Sequence, residues 1–249
     1  MLAVSSLAAL ASLTACSTAG SGSASPAASD AVVADASPEP SPGEPLRLVV
    51  LGDAYAAGTD TLAPKRDSWP AQLVVAMERG DVPLRLVDNL ADSGQTSEDV
   101  IRTQLGQVES LMPDVVTIQV GVNDIIARDI SLEDYRANVV YILDELLRTL
   151  PPGRIFLIST PDHTLTERGG DYGPRDEGHA AVLEANAILR AVAAERDITV
   201  IDISEVNRRA PLDASLVIGE GPYPSAKQYA GWVEIIGPQM RRALRGEEP

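Results

Sequence analysis

Short apolar runs alternate with helix-spaced stretches along most of this chain, and few folds accommodate that alternation. Residues 48–51 form an apolar run that stops at Gly52-Asp53 and enters a small-residue turn reaching Gly58. A strand buried on both faces reads this way. Ser68-Trp69-Pro70 opens a helix to about Arg79, and a second strand follows over 84–89. Thr96 and Asp99 have capping-box spacing, with Ile101, Leu105, Val108 and Met112 recurring behind them at helical intervals. A β-branched run over 115–120 gives a third strand, ending in Gly121-Val122-Asn123-Asp124. Ser131 with Asp134 caps the longest helix, whose buried stripe is Leu132, Tyr135, Val139, Leu143, Leu146 and Leu150, stopped by Pro151-Pro152-Gly153. Strands over 154–159 and 198–203 bracket a polar loop, 160–178, and a helix, 180–196. Residues 204–221 read as a loop. Ser225 caps a final helix carrying Tyr229, Val233, Ile236 and Met240, with Gly237-Pro238 expected to kink or shorten it.

Strands alternating with helices imply a parallel sheet covered on both faces, a three-layer α/β/α sandwich with five strands. Right-handed crossovers put the turns after the strands on one edge, where ligands bind in open α/β sheets. The distinctive turns are 52–54, Ser93-Gly94 and 121–124, each directly after a strand, and 220–225, ahead of the last helix.

The chain has 249 residues, enough for one sizeable domain, and 45% are hydrophobic. Aromatics are 4%, so the core is built from Leu, Val, Ile and Ala. The net charge of −16 disfavours nucleic-acid binding, which needs clustered Lys and Arg. Two scattered histidines and no ligand-spaced cluster give no support for a metal, and no cofactor is expected.

Cys16 is the only cysteine, so no internal disulfide forms. It closes a small and apolar segment, 1–15, that is too short to span a bilayer and fits a signal-peptide core. Leu13-Thr14-Ala15-Cys16 resembles the lipobox of bacterial lipoproteins, although no Lys or Arg precedes the apolar run. The resemblance implies cleavage before Cys16, a lipid on its sulfur and an extracytoplasmic location. Residues 16–45 are rich in Ser, Ala and Pro and read as a disordered tether to a domain over 46–249. The membrane would be met only through that anchor.

The four turns together resemble the four sequence blocks of the SGNH (GDSL-type) hydrolases, from Leu46 to about Arg242. Gly52-Asp53-Ala54 stands where that family has Gly-Asp-Ser. Gly94 matches the second block's glycine, and Gly121-Val122-Asn123-Asp124 matches Gly-x-Asn-Asp. Glu220 to Ser225 matches the last block, Asp-x-x-His-Pro-Ser, in spacing but not in its key residues. The resemblance implies a flavodoxin-like sheet and acyl transfer to water, with a serine nucleophile, a histidine base and an aspartate that orients it. Carried over by position, this chain has Ala54 for the serine, Tyr223 for the histidine and Glu220 for the aspartate. Ala54 has no nucleophilic atom, and a phenol of ordinary pKa near ~10 is a poor base at neutral pH.

The oxyanion hole that the resemblance implies is formed by backbone N–H groups and the Asn123 side chain. An alanine N–H serves there as well as a serine N–H, so Ala54, Gly94 and Asn123 remain candidate ligand-binding positions. Gly94 and Asn123-Asp124 also have a purely structural reading, as a tight turn and a cap of the following segment. Gly52, Asp53 and Asp124 support the turns. The expectation is a pseudoenzyme that binds an acylated ligand, such as an acetylated glycan, or a cell-envelope protein. The alternatives are an ester hydrolase working through the loop around His163, and a purely structural lipoprotein. His163 and His179 read as surface histidines, and Ser93 is the nearest substitute nucleophile by sequence.

Overall fold

A computed structural model describes residues 44–78, 80–127 and 130–247. The signal segment, Cys16 and the tether up to residue 43 lie outside the described residues, as does Arg79. Five strands, β1 (Leu46–Gly52), β2 (Leu84–Asn89), β3 (Val115–Gln119), β4 (Ile155–Ile158) and β5 (Thr199–Ile201), form one parallel sheet in the order β2-β1-β3-β4-β5. The five-stranded α/β/α architecture expected from the sequence is present. From β1 the chain moves to one side for β2 and to the other for β3, which makes their ends the switch point of the sheet.

Short helices α1 (Ala54–Ala57) and α2 (Pro64–Asp67) lead into α3 (Trp69–Glu78). After β2 come α4 (Ser97–Asp99), a π-helical stretch Val100–Leu105 and α5 (Gly106–Leu111). The remaining helices are α6 (Val122–Ala127), α7 (Leu132–Leu146), α8 (Arg175–Ala194), α9 (Ser204–Asn207) and α10 (Ala226–Leu244). Alternate residues of β1 divide between the two faces. Leu46, Leu48 and Val50 pack with Trp69, Leu73 and Met77 of α3 and Trp232, Ile236 and Met240 of α10. Val49 and Leu51 pack on the other side with Tyr135, Val139 and Leu143 of α7 and Leu189 and Val192 of α8. Among the described residues no helix is long and apolar enough to cross a membrane.

Several elements differ from the sequence expectation. Met112 is 58% exposed and left-handed (φ 43°), just past α5. The residues buried in that segment are Val100, Gln104 and Val108, because the wider π turn shifts the register by which positions face the sheet. Leu132 is half-buried and Ile142 joins the α7 stripe; the helix ends at Leu146, while Leu150 beyond it is buried as expected. α8 starts at Arg175, immediately after Pro174, so His179 is inside the helix. The final helix is not shortened at Pro238 and continues past it to Leu244. Pro238 and Glu234 both lie on its exposed side, so the backbone hydrogen bond that proline forfeits is lost where water replaces it.

Candidate functional site

β1 delivers Gly52 to the sheet edge with φ +147°, and a Cβ there would stand 2.0 Å from the Gln119 carbonyl oxygen. Only glycine permits this approach. The next amide, Asp53, donates to that same Gln119 oxygen at 3.1 Å, tying the first turn to β3. β2 has ended at Asn89, so the other side of Gly52 has no strand to pair with. Gln104 takes that place: Gly52 donates to its Oε1 and accepts from its Nε2, both at 2.8 Å.

The second turn is pinned to the first by the Asp92 amide donating to the Gly52 carbonyl at 3.3 Å and by Asn89 Nδ2 donating to the Ala56 carbonyl at 2.9 Å. The third is pinned to the second. Asn123 Nδ2 donates to the Gln95 carbonyl at 2.9 Å. Asp124 accepts from the Ser97 amide at 3.0 and 3.1 Å and from the Ser97 hydroxyl, which in turn accepts from Asn138 Nδ2 at 2.9 Å. Asp124 was expected to cap its own following segment. It holds the start of α4 instead, because it sits inside the first turn of α6 and its carboxylate faces Ser97. The fourth turn joins through Tyr55, whose hydroxyl donates to the Pro222 carbonyl at 3.3 Å. The structure therefore brings all four sequence blocks together.

Asp53 is the N-cap of α1 and accepts from the Tyr55 amide at 3.0 Å through Oδ1. Its Oδ2 is buried without a hydrogen-bond partner among the described residues. Burial pushes its pKa up to about 7, and the nearby Asp124 charge adds to the rise against the Tyr55 amide. Burial also raises Asp124, opposed by Ser97. Ala54, between these groups, is 3% exposed. No partner for the Ala54 or Gly94 amide is found among the described residues, and one amide hydrogen of Asn123 remains after its bond to Gln95. Gly94 adopts φ +78° with open space around it, so backbone conformation rather than crowding demands glycine there.

Tyr223 is half-buried and packs its ring 5.8 Å from that of Tyr55, tilted by 60°. Burial raises its phenol pKa, partly offset by the neighbouring Ser93 hydroxyl. The ring thus reaches from the fourth block toward the second. Glu220 is exposed, and its carbonyl accepts from the Arg168 amide at 3.1 Å.

Ser93 is exposed. His179 is half-exposed and its Nδ1 lies 2.5 Å from Asp162 Oδ2. His163, expected at the surface, is 3% exposed. It is covered because the loop folds into short 3-10 turns, His163–Leu165 and Glu167–Tyr172, that set its ring edge-on to Tyr172 at 5.9 Å.

The model of the GDSL-like lipase/acylhydrolase family matches residues 50–230, which spans all four turns. This chain belongs to that family. No curated protein matches it. Among solved structures, LAE5, an alpha/beta hydrolase enzyme from the metagenome of Lake Arreo, is 19% identical with a TM-score of 0.62, over 81% of this chain and 95% of that one. The lipase/acylhydrolase from Enterococcus faecalis is 22% identical with a TM-score of 0.63, over 80% and 96%. A catalytic mutant of Axe2, an acetylxylan esterase from Geobacillus stearothermophilus, is 16% identical with a TM-score of 0.63, over 82% and 95%. At these identities the likeness is one of fold.

Within this GDSL-like chain, the groups that sequence reasoning missed are Gln104, Ser97, Asn138 and Tyr55, which hold the turns in place. Gln104 carried a readable signal: a polar residue midway between Val100 and Val108 in an otherwise core-facing row.

Proposed function

We propose that this GDSL-like chain no longer hydrolyses esters and instead binds an acylated ligand at the former active-site turns. One observation carries the reading. The nucleophile turn keeps its glycine, its capping aspartate and its backbone ties to β3, yet Ala54 offers a methyl group where attack requires an oxygen. Tyr223, in the base position, has its pKa raised further out of the useful range. The Ala54 and Gly94 amides and the second Asn123 hydrogen remain as donors for a carbonyl oxygen, the property expected of a site that holds an acyl group without cleaving it. An acetylated glycan is the ligand class we favour. We further propose that lipidation of Cys16 carries the domain on an extracytoplasmic membrane surface.

The test is ester hydrolysis by the full chain with short acyl esters at neutral pH, beside a variant carrying Ala54→Ser, Glu220→Asp and Tyr223→His. The expected result is a silent parent, with acylated ligands that bind the parent and bind Asn123→Ala more weakly. Turnover by the parent overturns the reading, and the search for its catalytic groups then starts at His163, which lines a cleft of its own.

A further inference from the structure

A cleft on the α6–α8 side of the fold lies outside the four turns. It has a volume of about 300 Å³ and is walled by Ile125 and Ile126 of α6, His163 and Tyr172 of the loop, and Glu177 and Ala181 of α8. His163 is the unusual wall. The residue is 3% exposed, and its Nδ1 is buried without a hydrogen-bond partner among the described residues. Nε2 lies on the Gly178 side, where an added Cβ would stand 3.6 Å from it, and Gly178 also borders the cleft. Nδ1 is closed off from the cleft, so Nε2, on the Gly178 side, is the ring nitrogen that a ligand in the cleft meets.

The lining restricts what that occupant is. Burial lowers the His163 pKa, with Arg175 adding to the effect against Asp162, so the imidazole meets a ligand uncharged at neutral pH. Arg175 is committed to the carbonyls of Thr164, Thr166 and Glu167. Glu177 stands exposed on the wall and repels anions. Among the described residues that line the cleft, a free carboxylate or phosphate therefore has no cation to meet. The imidazole, the Tyr172 phenol and the Glu177 carboxylate offer three separate polar positions between apolar walls from Ile125, Ile126 and Ala181. A ring with hydroxyls on its edge and C–H groups on its faces uses all of them, and about 300 Å³ is room for one such ring.

We infer that this cleft is a binding site for a single uncharged polyol ring, such as one sugar unit, with His163 as its buried hydrogen-bonding group. α6 carries Asn123 in its first turn and Ile125 and Ile126 directly after it, so the cleft is contiguous in the chain with the proposed acyl-binding turns. The site does not depend on acyl binding and is tested without it.

The chain has only two histidines, so the imidazole 15N spectrum of the full chain contains two residues. His179 is the internal reference. Methyl glycosides of glucose, galactose, xylose and N-acetylglucosamine are the probes, none of them acylated on oxygen. At least one is expected to shift the His163 nitrogens in a saturable way and leave His179 in place. Tyr172→Phe keeps the ring against His163 and removes one hydroxyl, so it is expected to weaken that binding roughly two- to tenfold. Ala181→Phe, on a half-buried helix position, fills the cleft and is expected to abolish the shift while thermal melting stays cooperative. Absence of any His163 shift across the four glycosides overturns the inference. So does a shift that survives Ala181→Phe unchanged, or one produced by butyrate and by none of the glycosides.

Discussion

Tyr223 packs its ring, tilted by 60°, 5.8 Å from that of Tyr55, and the Tyr55 hydroxyl donates to the Pro222 carbonyl, one residue before Tyr223. The position that the family resemblance assigns to a catalytic base has thus been absorbed into an aromatic contact that holds the last turn against the first. A single Tyr223→His change removes that contact without providing anything to activate, because Ala54 has no oxygen. It is expected to leave ester turnover at background and to lower stability by about 1 kcal/mol, the typical worth of an aromatic pair. A urea melt and an ester assay on the same preparation check both halves. Turnover from this single variant would show that some group other than residue 54 attacks.

Asp53 links the site to pH. Its pKa is raised from an ordinary 3.8 to about 7, chiefly by burial. A carboxyl with a higher pKa folded than unfolded binds more protons in the native state between those two values. Its contribution to stability is therefore largest below pH ~4, falls as pH rises toward ~7 and is flat above, with a total on the order of a few kcal/mol. Asp53→Asn keeps an oxygen for the Tyr55 amide and cannot ionise. Chemical denaturation from pH 4 to 8 is expected to show a shallower decline in the variant than in the parent. Identical slopes would place the titration elsewhere, with Asp124 the first group to examine.

The Asp124 carboxylate accepts both donors of Ser97, the amide N–H shared between its two oxygens and the hydroxyl. Asp124→Ala leaves a buried amide and hydroxyl with no acceptor and frees the start of α4. The expected loss is about 2–4 kcal/mol, several times that of Asn123→Ala, whose one bond to the Gln95 carbonyl is half-buried and worth about 1 kcal/mol. Paired denaturation curves for the two variants decide it. If Asn123→Ala costs as much as Asp124→Ala, Asn123 is a structural residue first and a weak candidate for ligand contact.

The alternation of strands with helices and the capping boxes are legible in the sequence because each depends on local patterning, and the convergence of the four turns follows from that alternation. Thr96-Asp99 and Ser131-Asp134 form the capping boxes their spacing announced, and Ser225 caps α10. His163 reads as a surface residue because burial of a loop residue depends on how the loop folds back, here through Tyr172 and Gly178, and no periodicity encodes that. Asp124 reads as a local cap because its partner, Ser97, is 27 residues away. The helix through Pro238 was hidden for a related reason. Local propensity argues against it, while Ile236 and Met240 on either side are fully buried and hold the turn in register.

Gln104 shows how much depends on such non-local ties. Its amide completes the hydrogen bonding of Gly52 where β2 has ended, from a π-helical stretch 52 residues further along the chain. The Gly52 carbonyl has a second donor in Asp92, but no other partner for the Gly52 amide is found among the described residues. Gln104→Leu preserves the side-chain volume and leaves that amide unpaired in the interior, so the expected cost is about 1–3 kcal/mol. Hydrogen exchange gives the sharper readout. The amides of Gly52 and Asp53 should lose protection by a larger factor than those of Val49 and Val50 in the same strand, because the change strikes the turn and not the ladder. A uniform loss along β1 would mean that Gln104 acts through general core packing, and that the turn carrying Ala54 keeps its shape without it.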